Sequence, residues 1–451
     1  MRRKGRRKMP VKVIGAGLAG CEAAWQIAQA GVQAELVECK PLEMPPAHHS
    51  PDFAELVCSN SLRASALENA VGLLKQEMRL LGSLIMECAD ATSVPAGGAL
   101  AVDRAAFSAL VTEKITSHPN ISVTSARLDR IPDCRPCVVA TGPLTLPALA
   151  ADIADRFGGA LSFFDAAAPI VTYESIDMGT AYFASRYGKG TPDYINCPMT
   201  REEYLRFREA LVGAQCVQQR DFEPDMVFEG CMPIEVMAAR GEDTMRFGPL
   251  KPVGLEHPVT GARPYAVVQL RKDNAAGSLY NIVGFQTHLT FPEQRRVFSM
   301  IPGLQNAAFA RYGVMHRNSF IHSPGILSPA YEVRADRGLF FAGQITGVEG
   351  YVESAASGLA AGVNAARRAL GGEPMDFPAS TAVGALAHYI SNEAIVDFQP
   401  MNISFGLIEY TGGKARGKRE RRERTAQAAL ETARALRRQM DTAGVREEGE
   451  Q

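Results

Sequence analysis

The sequence predicts an α/β fold in which a parallel sheet is assembled from both ends of the chain, with an inserted α+β domain and a C-terminal helix. Near the N-terminus, a short apolar strand runs directly into a glycine-rich turn and a helix. A second apolar strand, near residue 340, also leads into glycines and a helix of small residues. The stretch between them, roughly 181–313, is richer in Tyr, Arg and Pro. Because parallel strands can be distant in sequence, we expect both ends to share one sheet.

Composition supports a globular protein. The chain has 451 residues, of which 46% are hydrophobic, 22% charged and 7% aromatic, so a largely disordered chain is excluded. No apolar run approaches the ~20 residues of a membrane-spanning helix, so no membrane partner is expected. The nine cysteines are scattered and odd in number, which favours reduced thiols and a cytoplasmic location over a disulfide framework.

The first local signal is a glycine-rich turn between two strands. Val11–Ile14 is predicted to be a strand, residues 15–20 read Gly-Ala-Gly-Leu-Ala-Gly, Cys21–Ala30 is predicted to be a helix, and Ala34–Glu38 a second strand. In this context Gly-x-Gly-x-x-Gly is the Rossmann-like dinucleotide-binding fingerprint. It seats a pyrophosphate at the helix N-terminus and offers the final acid to a ribose hydroxyl. The cofactor contacts predicted here are Gly15, Gly17, Gly20 and Glu38.

Two later strands extend the same domain. Cys137–Gly142 and Gly338–Gln344 are apolar runs that end in turns, and Ser354–Leu370 is predicted to be a helix of small residues. A strand that ends in Ala-Gly before a glycine-rich helix start suits a second approach to an extended cofactor. The further cofactor contacts predicted here are Gly343, Gln344, Gly350 and Tyr351.

These patterns divide the chain into four parts. We expect residues 11–180 and 314–413 to form the two parts of the nucleotide domain, 181–313 the inserted domain, and 414–451 a basic helix and a disordered tail. The inserted domain is predicted to contain strands at 227–229, 266–270 and 280–283, and helices near 200–212 and 292–300. The surface helix is predicted at 415–440, and the last eleven residues are predicted to be disordered.

Seven sequence segments, in one order, resemble a known family. They are GAGLAG at 15–20, LVCSNSLR around Cys58, ALAVDR around Asp103, FEGCMPIEVMA around Cys231, VGFQTHL around His288, YGVMHRN around Arg317, and LFFAGQITGVEGYVESAASGLAAG at 339–362. Together they resemble the folate- and FAD-dependent tRNA (uracil-5-)-methyltransferases of bacteria, over about residues 11–407. The first ten residues and the tail beyond about Gly417 carry little of the resemblance.

The resemblance implies methylation of the T-loop uridine at tRNA position 54 to 5-methyluridine. Methylenetetrahydrofolate would be the one-carbon donor, reduced FAD the methylene carrier and reductant, and NADH or NADPH the source of electrons. The partners would be tRNA and these small molecules, with no obligatory protein partner and no metal.

The chemistry calls for a thiol, because uracil C5 becomes nucleophilic only after a thiolate adds to C6. Cys231 precedes Pro233, which is predicted to be the first residue of a helix whose dipole would favour a thiolate. Cys58 lies in a polar turn after an apolar pair. The resemblance gives Cys231 the nucleophile role and Cys58 the base or assisting role; the reverse assignment stays open.

Other site residues also rest on the resemblance. It implies that His288 flanks the folate and stacks on the pterin, although a histidine of the core is the commoner case. It gives Arg317 and Asn318 contacts with the flavin edge or the substrate. Seven basic residues against two acidic ones between Lys414 and Arg424 suggest contacts with RNA phosphates, or else only a solvated helix face. The proposed phosphate contacts are Lys414, Arg416, Lys418 and Arg419.

Three alternatives remain. One is the related FAD subunit that modifies the wobble uridine of tRNA with a partner GTPase; that protein is longer at its C-terminus. The second is an FAD thiol-disulfide oxidoreductase using Cys134 and Cys137, a C-x-x-C pair that has no second pair to complete a zinc site and lies far from the first nucleotide helix. The third is a non-catalytic, FAD-bound RNA scaffold.

Overall fold

The computed structural model describes residues 9–45, 47–158, 160–188, 190–217 and 232–445; for 160–166, 315–317 and 442–445 it describes the backbone alone. Numbered in chain order, the strands are β1 (Val11–Ile14), β2 (Ala34–Glu38), β3 (Ser61–Ala64), β4 (Ser93–Val94), β5 (Ala99–Val102), β6 (Ile121–Ser125), β7 (Cys137–Val139), β8 (Ala160–Ala166), β9 (Ile170–Thr172), β10 (Tyr182–Ala184), β11 (Tyr194–Met199), β12 (Ala266–Lys272), β13 (Leu279–Ile282), β14 (Phe309–Arg311), β15 (Met315–Ile321) and β16 (Leu339–Phe341).

The helices are α1 (Leu18–Gln29), α2 (Ala70–Leu80), α3 (Leu84–Ala91), α4 (Arg104–Ser117), α5 (Pro147–Phe157), α6 (Arg201–Val212), α7 (Ile234–Arg240), α8 (Thr244–Phe247), α9 (Phe291–Phe298), α10 (Tyr351–Ala369), α11 (Ala382–Ile390) and α12 (Lys418–Val445). In the described part of the chain, each helix is too short or too polar to span a bilayer.

The first sheet is parallel throughout and has the strand order β16-β7-β1-β2-β6. Strands β1 and β2 have the bounds that the sequence predicts, and β7 and β16 occupy the two later apolar runs. Because β16 pairs with β7, a strand from the C-terminal part of the chain completes a sheet that begins at the N-terminus. The predicted Rossmann-like α/β fold, assembled from both ends of the chain, is confirmed.

Helices α1 and α10 lie in close contact beside this sheet. A Cβ atom at Gly358 of α10 would overlap the carbonyl oxygen of Ala19, and one at Gly362 would lie 2.6 Å from the carbonyl oxygen of Ala23. No side chain fits between the two backbones at these positions, since ordinary carbon–oxygen contacts need more than 3 Å. The small residues of α10 therefore bring the two halves of the nucleotide domain together.

The second sheet has the strand order β10-β11-β12-β13-β9-β14 and is antiparallel. It encloses its own hydrophobic core together with side chains of α6, α7 and α9. Strands β12 and β13 and helices α6 and α9 match elements that the sequence predicts, whereas the strand predicted at 227–229 lies outside the described residues. Strand β9 precedes residue 181 and still pairs with β13 and β14. The division of the chain at residues 180, 313 and 413 stays a prediction.

An antiparallel ribbon of β8 and β15 joins the two regions. Strand β8 precedes the first strand of the antiparallel sheet, and β15 follows its last strand. The chain therefore enters and leaves the inserted region through paired strands. A third, three-stranded sheet, β3-β5-β4, lies in the N-terminal part of the chain.

The basic C-terminal segment forms α12, where the sequence predicts a surface helix. Ala426, Ala429 and Ala433 are nevertheless buried, because one face of α12 packs against α2. The helix also continues to Val445, into the tail for which the sequence predicts disorder; residues 446–451 lie outside the described part.

A buried carboxylate joins α2 to α11. Glu77 is fully buried, and its carboxylate accepts hydrogen bonds from the backbone N–H of Ala382, at 2.8 Å, and of Val383, at 3.0 Å. These are the first residues of α11, whose N–H groups have no partner within the helix. Burial raises the pKa of Glu77 to about 8, and the two N–H donors oppose that rise. Glu77 therefore caps a helix more than 300 residues away in sequence.

We expect Glu77→Ala to destabilise the protein by about 2–4 kcal/mol, since it leaves two buried N–H groups unpaired and opens a cavity. Thermal unfolding followed by circular dichroism should show a melting temperature several degrees lower. Glu68→Ala is the matched control, because it removes an exposed glutamate just before α2, the helix that contains Glu77. Equal melting temperatures for the two variants would contradict the capping role.

Candidate functional site

A cleft opens where the parallel strands end and their carboxyl-terminal turns begin, the place where ligands bind in folds of this class. Its lining combines the glycine-rich turn after β1, the segment that follows β2, and the turns after β7 and β16. Six of the predicted cofactor contacts line it: Gly15, Gly17, Glu38, Gly343, Gln344 and Tyr351. Gly20 and Gly350 lie outside the lining.

Each of the three glycines in the fingerprint is required for a different physical reason. Gly15 has φ +96°, and a Cβ there would lie 2.6 Å from the carbonyl oxygen of Ala140. A Cβ at Gly20 would overlap the carbonyl oxygen of Gly15, so Gly20 permits close packing of α1 on the turn. A Cβ at Gly17 would meet no protein atom within 4 Å. Gly17 therefore leaves open space beside the N-terminus of α1, which fits the pyrophosphate of an extended dinucleotide.

Glu38 is buried at the end of β2 and holds the turn in place. One carboxylate oxygen accepts the N–H of Ala16 at 2.5 Å, and the other accepts the N–H of Lys40 at 3.0 Å. The oxygen that accepts from Lys40 also accepts the Cys39 thiol at 3.1 Å, while the oxygen that accepts from Ala16 can accept a further hydrogen bond, so Glu38 fits a ribose hydroxyl while it braces the glycine turn. Burial and the Glu38 charge raise the pKa of the adjacent Cys39 thiol to about 12.

The two glycines between β16 and α10 also differ in role: one lines the cleft and the other permits packing. Gly343 lines the cleft with φ +86°, and its N–H donates to the Ser357 hydroxyl at 2.6 Å. Gly350 is the residue before α10, with φ +109°, and a Cβ there would lie 2.5 Å from a carboxylate oxygen of Glu353. Gly350 thus serves packing around Glu353 rather than the lining of the cleft.

Tyr351 connects the cleft to Cys58. Its hydroxyl accepts hydrogen bonds from the backbone N–H of Cys58, at 2.7 Å, and of Ser59, at 3.2 Å. Cys58 is half-buried, and the preceding residue, Val57, lines the cleft. The cysteine is therefore held at the edge of the cleft by a residue that the sequence predicts only as a cofactor contact.

Two arginines brace the same turn from the other side: Arg271 is buried, and the Arg104 side chain is 14% exposed. Arg104 donates to the carbonyl oxygen of Leu56 and forms an ion pair with Asp273 at 2.9 Å. Arg271 donates to Asn60 at 3.0 Å and to the Ser59 hydroxyl at 2.8 Å. Asp273 and Arg271 belong to the antiparallel-sheet region, so the Cys58 turn is fastened to both regions. The sequence carries no local signal for these contacts.

Cys231, the predicted nucleophile, lies outside the described residues. The helix that follows it, α7, begins at Ile234, and Pro233 is the residue before the helix rather than its first residue. Pro233 itself is extended, with ψ 142°, and does not form part of the first helical turn.

His288 is bound to a buried glutamate that the sequence assigns no role. Its imidazole Nδ1 pairs with a carboxylate oxygen of Glu235. Glu235 also accepts the N–H of His288, at 3.0 Å, and the hydroxyl of Thr287, at 2.8 Å. Burial lowers the pKa of His288, but hydrogen bonds with Cys216 and Glu235 outweigh it and raise the pKa to about 9. The ring is thus positively charged at neutral pH.

The remaining predicted folate residues lie on β15. Asn318 is buried, and the backbone of Arg317 pairs with Phe164 of β8; the Arg317 side chain lies outside the described part. The next residue, Ser319, donates its N–H to the carbonyl oxygen of Pro143, which lines the cleft. Neither His288 nor Asn318 belongs to the described lining of the cleft, but β15 is anchored to its rim.

The predicted RNA contacts Lys414, Arg416, Lys418 and Arg419 are all exposed. Acidic residues of α12 neutralise part of this segment: Arg419 pairs with Glu423 at 2.8 Å, and Arg424 pairs with Glu420 at 2.6 Å.

The C-x-x-C pair lies at the other end of β7 from the cleft. Cys137 begins β7 and is buried, whereas the cleft is lined by Ala140 and the turn after it. A hydrogen bond from Cys137 lowers the pKa of the Cys134 thiol to about 6. This position disfavours a disulfide exchange with a cofactor bound in the cleft.

The chain is similar to one family model, two relatives and one solved structure. The family model described as glucose inhibited division protein A matches residues 10–373. A methylenetetrahydrofolate–tRNA-(uracil-5-)-methyltransferase TrmFO of Acetivibrio thermocellus is 61% identical over 421 residues, covering 93% of this chain and 97% of its own. The protein of the same name from Bacillus subtilis is 58% identical over 423 residues, with 94% and 97% covered. The solved structure of GidA from Aquifex aeolicus has a TM-score of 0.69 at 18% identity, covering 96% of this chain and 73% of its own, and shows the fold alone.

The open space at Gly17 leads to a test of the cleft. We expect Gly17→Val to abolish flavin binding, because the side chain would occupy the space left for the pyrophosphate while contacting no protein atom. Gly98→Val is the matched control, since a Cβ at this exposed glycine also meets nothing within 4 Å. Absorbance near 450 nm of the purified proteins measures bound flavin. A yellow Gly17→Val protein would show that the bound flavin cofactor does not lie against this turn.

Proposed function

The chain belongs to the family of the methylenetetrahydrofolate–tRNA-(uracil-5-)-methyltransferases, and we propose that it methylates the T-loop uridine at position 54 of tRNA to 5-methyluridine. The observation that carries this proposal is 61% identity over 93% of the chain with a relative of that name. The cleft supports it, since its turns keep the geometry that a dinucleotide needs. The donor is methylenetetrahydrofolate, and the substrate is tRNA.

When bound in the cleft, reduced FAD supplies the hydride and carries the one-carbon unit, with NADH or NADPH as the source of electrons. The residues proposed to hold it are Gly15, Gly17, Glu38, Gly343, Gln344 and Tyr351. Gly17 leaves room for the pyrophosphate, and Glu38 offers a carboxylate to the ribose. Gly20 and Gly350 act indirectly, through the packing of the helix starts.

The chain must also activate the uracil. We assign addition to uracil C6 to Cys231 and the assisting role, at the C5 proton or the one-carbon unit, to Cys58. Support for Cys58 comes from the three attachments of its turn, through Tyr351, Arg104 and Arg271. Such a turn keeps its thiol at one place beside the cleft, as proton transfer requires.

For the folate we propose His288, Arg317 and Asn318. The His288 ring is fixed in orientation by Glu235, so it can present a constant face to a pterin. Its positive charge would also favour the electron-rich ring and the acidic tail of a folate. Asn318 is next to the residue that bonds the rim of the cleft.

The alternatives differ in specific features. The FAD subunit that modifies the wobble uridine is expected to be longer at its C-terminus, whereas this chain covers 97% of the length of its methyltransferase relatives. A thiol-disulfide oxidoreductase would need its cysteine pair beside the cofactor, whereas Cys134 and Cys137 lie at the far end of β7. A scaffold without catalysis would not modify RNA. A cytoplasmic location fits a tRNA substrate and is part of the proposal.

Nucleoside mass spectrometry tests the function directly. Unmodified tRNA would be incubated with the protein, methylenetetrahydrofolate, FAD and NADH or NADPH, and digested to nucleosides. We expect one 5-methyluridine per tRNA, and none when uridine 54 is replaced by cytidine or the folate is omitted. A product at the wobble position would support the FAD subunit that modifies the wobble uridine, and no product at all would support the scaffold.

The two cysteines should differ in trapping experiments with 5-fluorouridine RNA, because the fluorine at C5 cannot leave as the proton does. Cys231→Ala should abolish both methylation and the covalent adduct. Cys58→Ala should lower methylation by about a hundredfold or more but still form the adduct. Cys88→Ala, at a buried cysteine outside the site, is the control. Peptide mapping that locates the RNA on Cys58 would exchange the two roles.

The basic segment before and within α12 should bind tRNA phosphates. Replacing Lys414, Arg416, Lys418 and Arg419 together by alanine should weaken tRNA binding and lower the salt dependence, by about 0.9 in log–log slope per lost phosphate contact. Arg434→Ala, at an exposed arginine farther along the same helix, is the control. An unchanged salt slope would mean that tRNA binds elsewhere.

A further inference from the structure

Three aromatic rings lie nearly parallel in the antiparallel-sheet region. Phe309 of β14 and Tyr312 have ring centroids 5.0 Å apart, with 13° between their planes. Tyr312 and Phe291, the first residue of α9, have centroids 4.8 Å apart, with 17° between their planes. No ring contact joins Phe291 to Phe309 in the described part of the chain, so Tyr312 lies between them. We call these three residues the aromatic stack.

The inner end of the aromatic stack is anchored in a hydrophobic core, and the outer end is exposed. Phe309 packs against the core of the antiparallel-sheet region, and its ring centroid lies 6.5 Å from that of the buried Phe298. Phe291, by contrast, is 50% exposed, and Tyr312 is its one ring partner among the described residues. Tyr312 therefore covers one face of Phe291, and the second face is open to a flat ligand.

A buried amide holds the two outer rings in register. The side-chain carbonyl of Gln294 accepts the N–H of Gly313 at 2.8 Å, and its amide nitrogen donates to the carbonyl oxygen of Gly313 at 2.8 Å. Gln294 belongs to α9, as Phe291 does, and Gly313 directly follows Tyr312. The rings are thus ordered before a ligand arrives, which lowers the entropic cost of binding.

An unpaired arginine lies beside the exposed ring. Arg295 follows Phe291 by four residues, so the two side chains leave the same face of α9. Arg295 is exposed, and none of the carboxylates that the structure describes forms an ion pair with it. Its neighbour Arg296 is instead paired with Glu293 at 2.6 Å. Arg295 can therefore offer its charge to a phosphate next to the ring.

The aromatic stack is also close to residues proposed for the reaction. Phe291 follows His288, the proposed folate residue, by three positions. Arg311, the residue before the middle ring, donates to the carbonyl oxygen of Ala47 at 3.4 Å, and the next residue, His48, lines the cleft. The stack is therefore joined to the rim of the cleft on one side and to the proposed folate residues on the other.

We propose that the aromatic stack is a base-stacking site for the tRNA, in which an unpaired nucleobase stacks on the open face of Phe291 and Arg295 contacts a phosphate of the same strand. This inference rests on the proposed function, which supplies the RNA. A uridine that leaves its stack to react deprives the neighbouring bases of a stacking partner. An exposed ring beside a cation is the arrangement with which proteins bind such bases without reading their sequence.

The salt dependence of binding distinguishes this site from the phosphate contacts proposed before and within α12. Stacking on a ring releases no counterions, so its loss lowers the affinity at every salt concentration and leaves the log–log slope unchanged. Loss of an arginine that contacts a phosphate lowers the slope itself, by about 0.7 for single-stranded RNA. Phe291 and Arg295 should therefore give opposite signatures although they are neighbours.

Binding of a fluorescent T-arm hairpin RNA to the full-length protein, followed by anisotropy over a range of salt concentrations, tests the proposal. Phe291→Ala should weaken binding by about tenfold or more with an unchanged salt slope. Phe291→Trp should bind at least as tightly as the parent protein, because it keeps a flat ring. Arg295→Ala should lower the slope. Phe247→Ala, at a phenylalanine that is 81% exposed in the same region, is the matched control and should change neither quantity.

Hairpins that lack the base at one loop position at a time identify the stacked base. At that position, removal of the base and Phe291→Ala should each weaken binding, and both together should weaken it no more than either alone. At the other loop positions the two losses should multiply. Circular dichroism of each variant checks that the protein is folded.

Two results would overturn the proposal. One is losses that multiply at every loop position, which would mean that Phe291 meets no base of the loop. The other is a hairpin affinity that Phe291→Ala leaves unchanged while it raises the KM for methylenetetrahydrofolate, which would assign the ring to the folate. The nucleoside assay is made separately. Binding that depends on Phe291 without 5-methyluridine would refute the proposed function and keep the base-stacking site, and 5-methyluridine with binding independent of Phe291 would do the reverse.

Discussion

The close approach of α1 and α10 is the constraint on which the rest of the site depends. Helix α1 begins at the first glycine turn and α10 follows the second, so both turns can face one cleft only if the helix backbones nearly touch. Gly358 and Gly362 meet this requirement, since a Cβ at either position would collide with a carbonyl oxygen of α1. The strand order agrees with this arrangement, because β1 and β16 each precede one of the two turns and β7 lies between them in the sheet.

A second set of contacts joins the inserted region to the nucleotide domain. Arg104, which is largely buried, and Arg271, which is buried, contact Asp273, Asn60 and the backbone of the Cys58 turn. Buried ion pairs add little net stability, since desolvation offsets most of the attraction. Their value here is geometric: an unpaired guanidinium in this position would be costly, so the bonds of Arg104 to Leu56 and of Arg271 to Ser59 favour the observed arrangement of the turn.

The sequence predicted the glycine turns because each depends on residues close together in the chain. It predicted the parallel sheet because β16, like β1, is an apolar run that leads into glycines and a helix. Gly15, Gly17 and Gly20 belong to one turn, and β1 and β2 lie directly on either side of it. The missed features join distant residues. Glu235 meets Thr287 and His288 more than 50 residues later. The buried face of α12 depends on α2, and the periodicity of neither sequence shows that these two helices pack together. Whether Gly350 touches a cofactor or only Glu353 could not be read from a glycine alone.

The pairing of β16 with β7 also bears on how the chain folds during synthesis. All six strands of the antiparallel sheet have been made once Arg311 is part of the chain. The parallel sheet is complete only after β16 has been made, and the cleft only after α10, which ends at Ala369. On the ribosome the inserted region can therefore become compact first, while β1, β2 and β7 remain without their final edge strand. During this interval the edge of β7 that later pairs with β16 has no partner strand, and it is the part of the sheet most exposed to pairing with another chain.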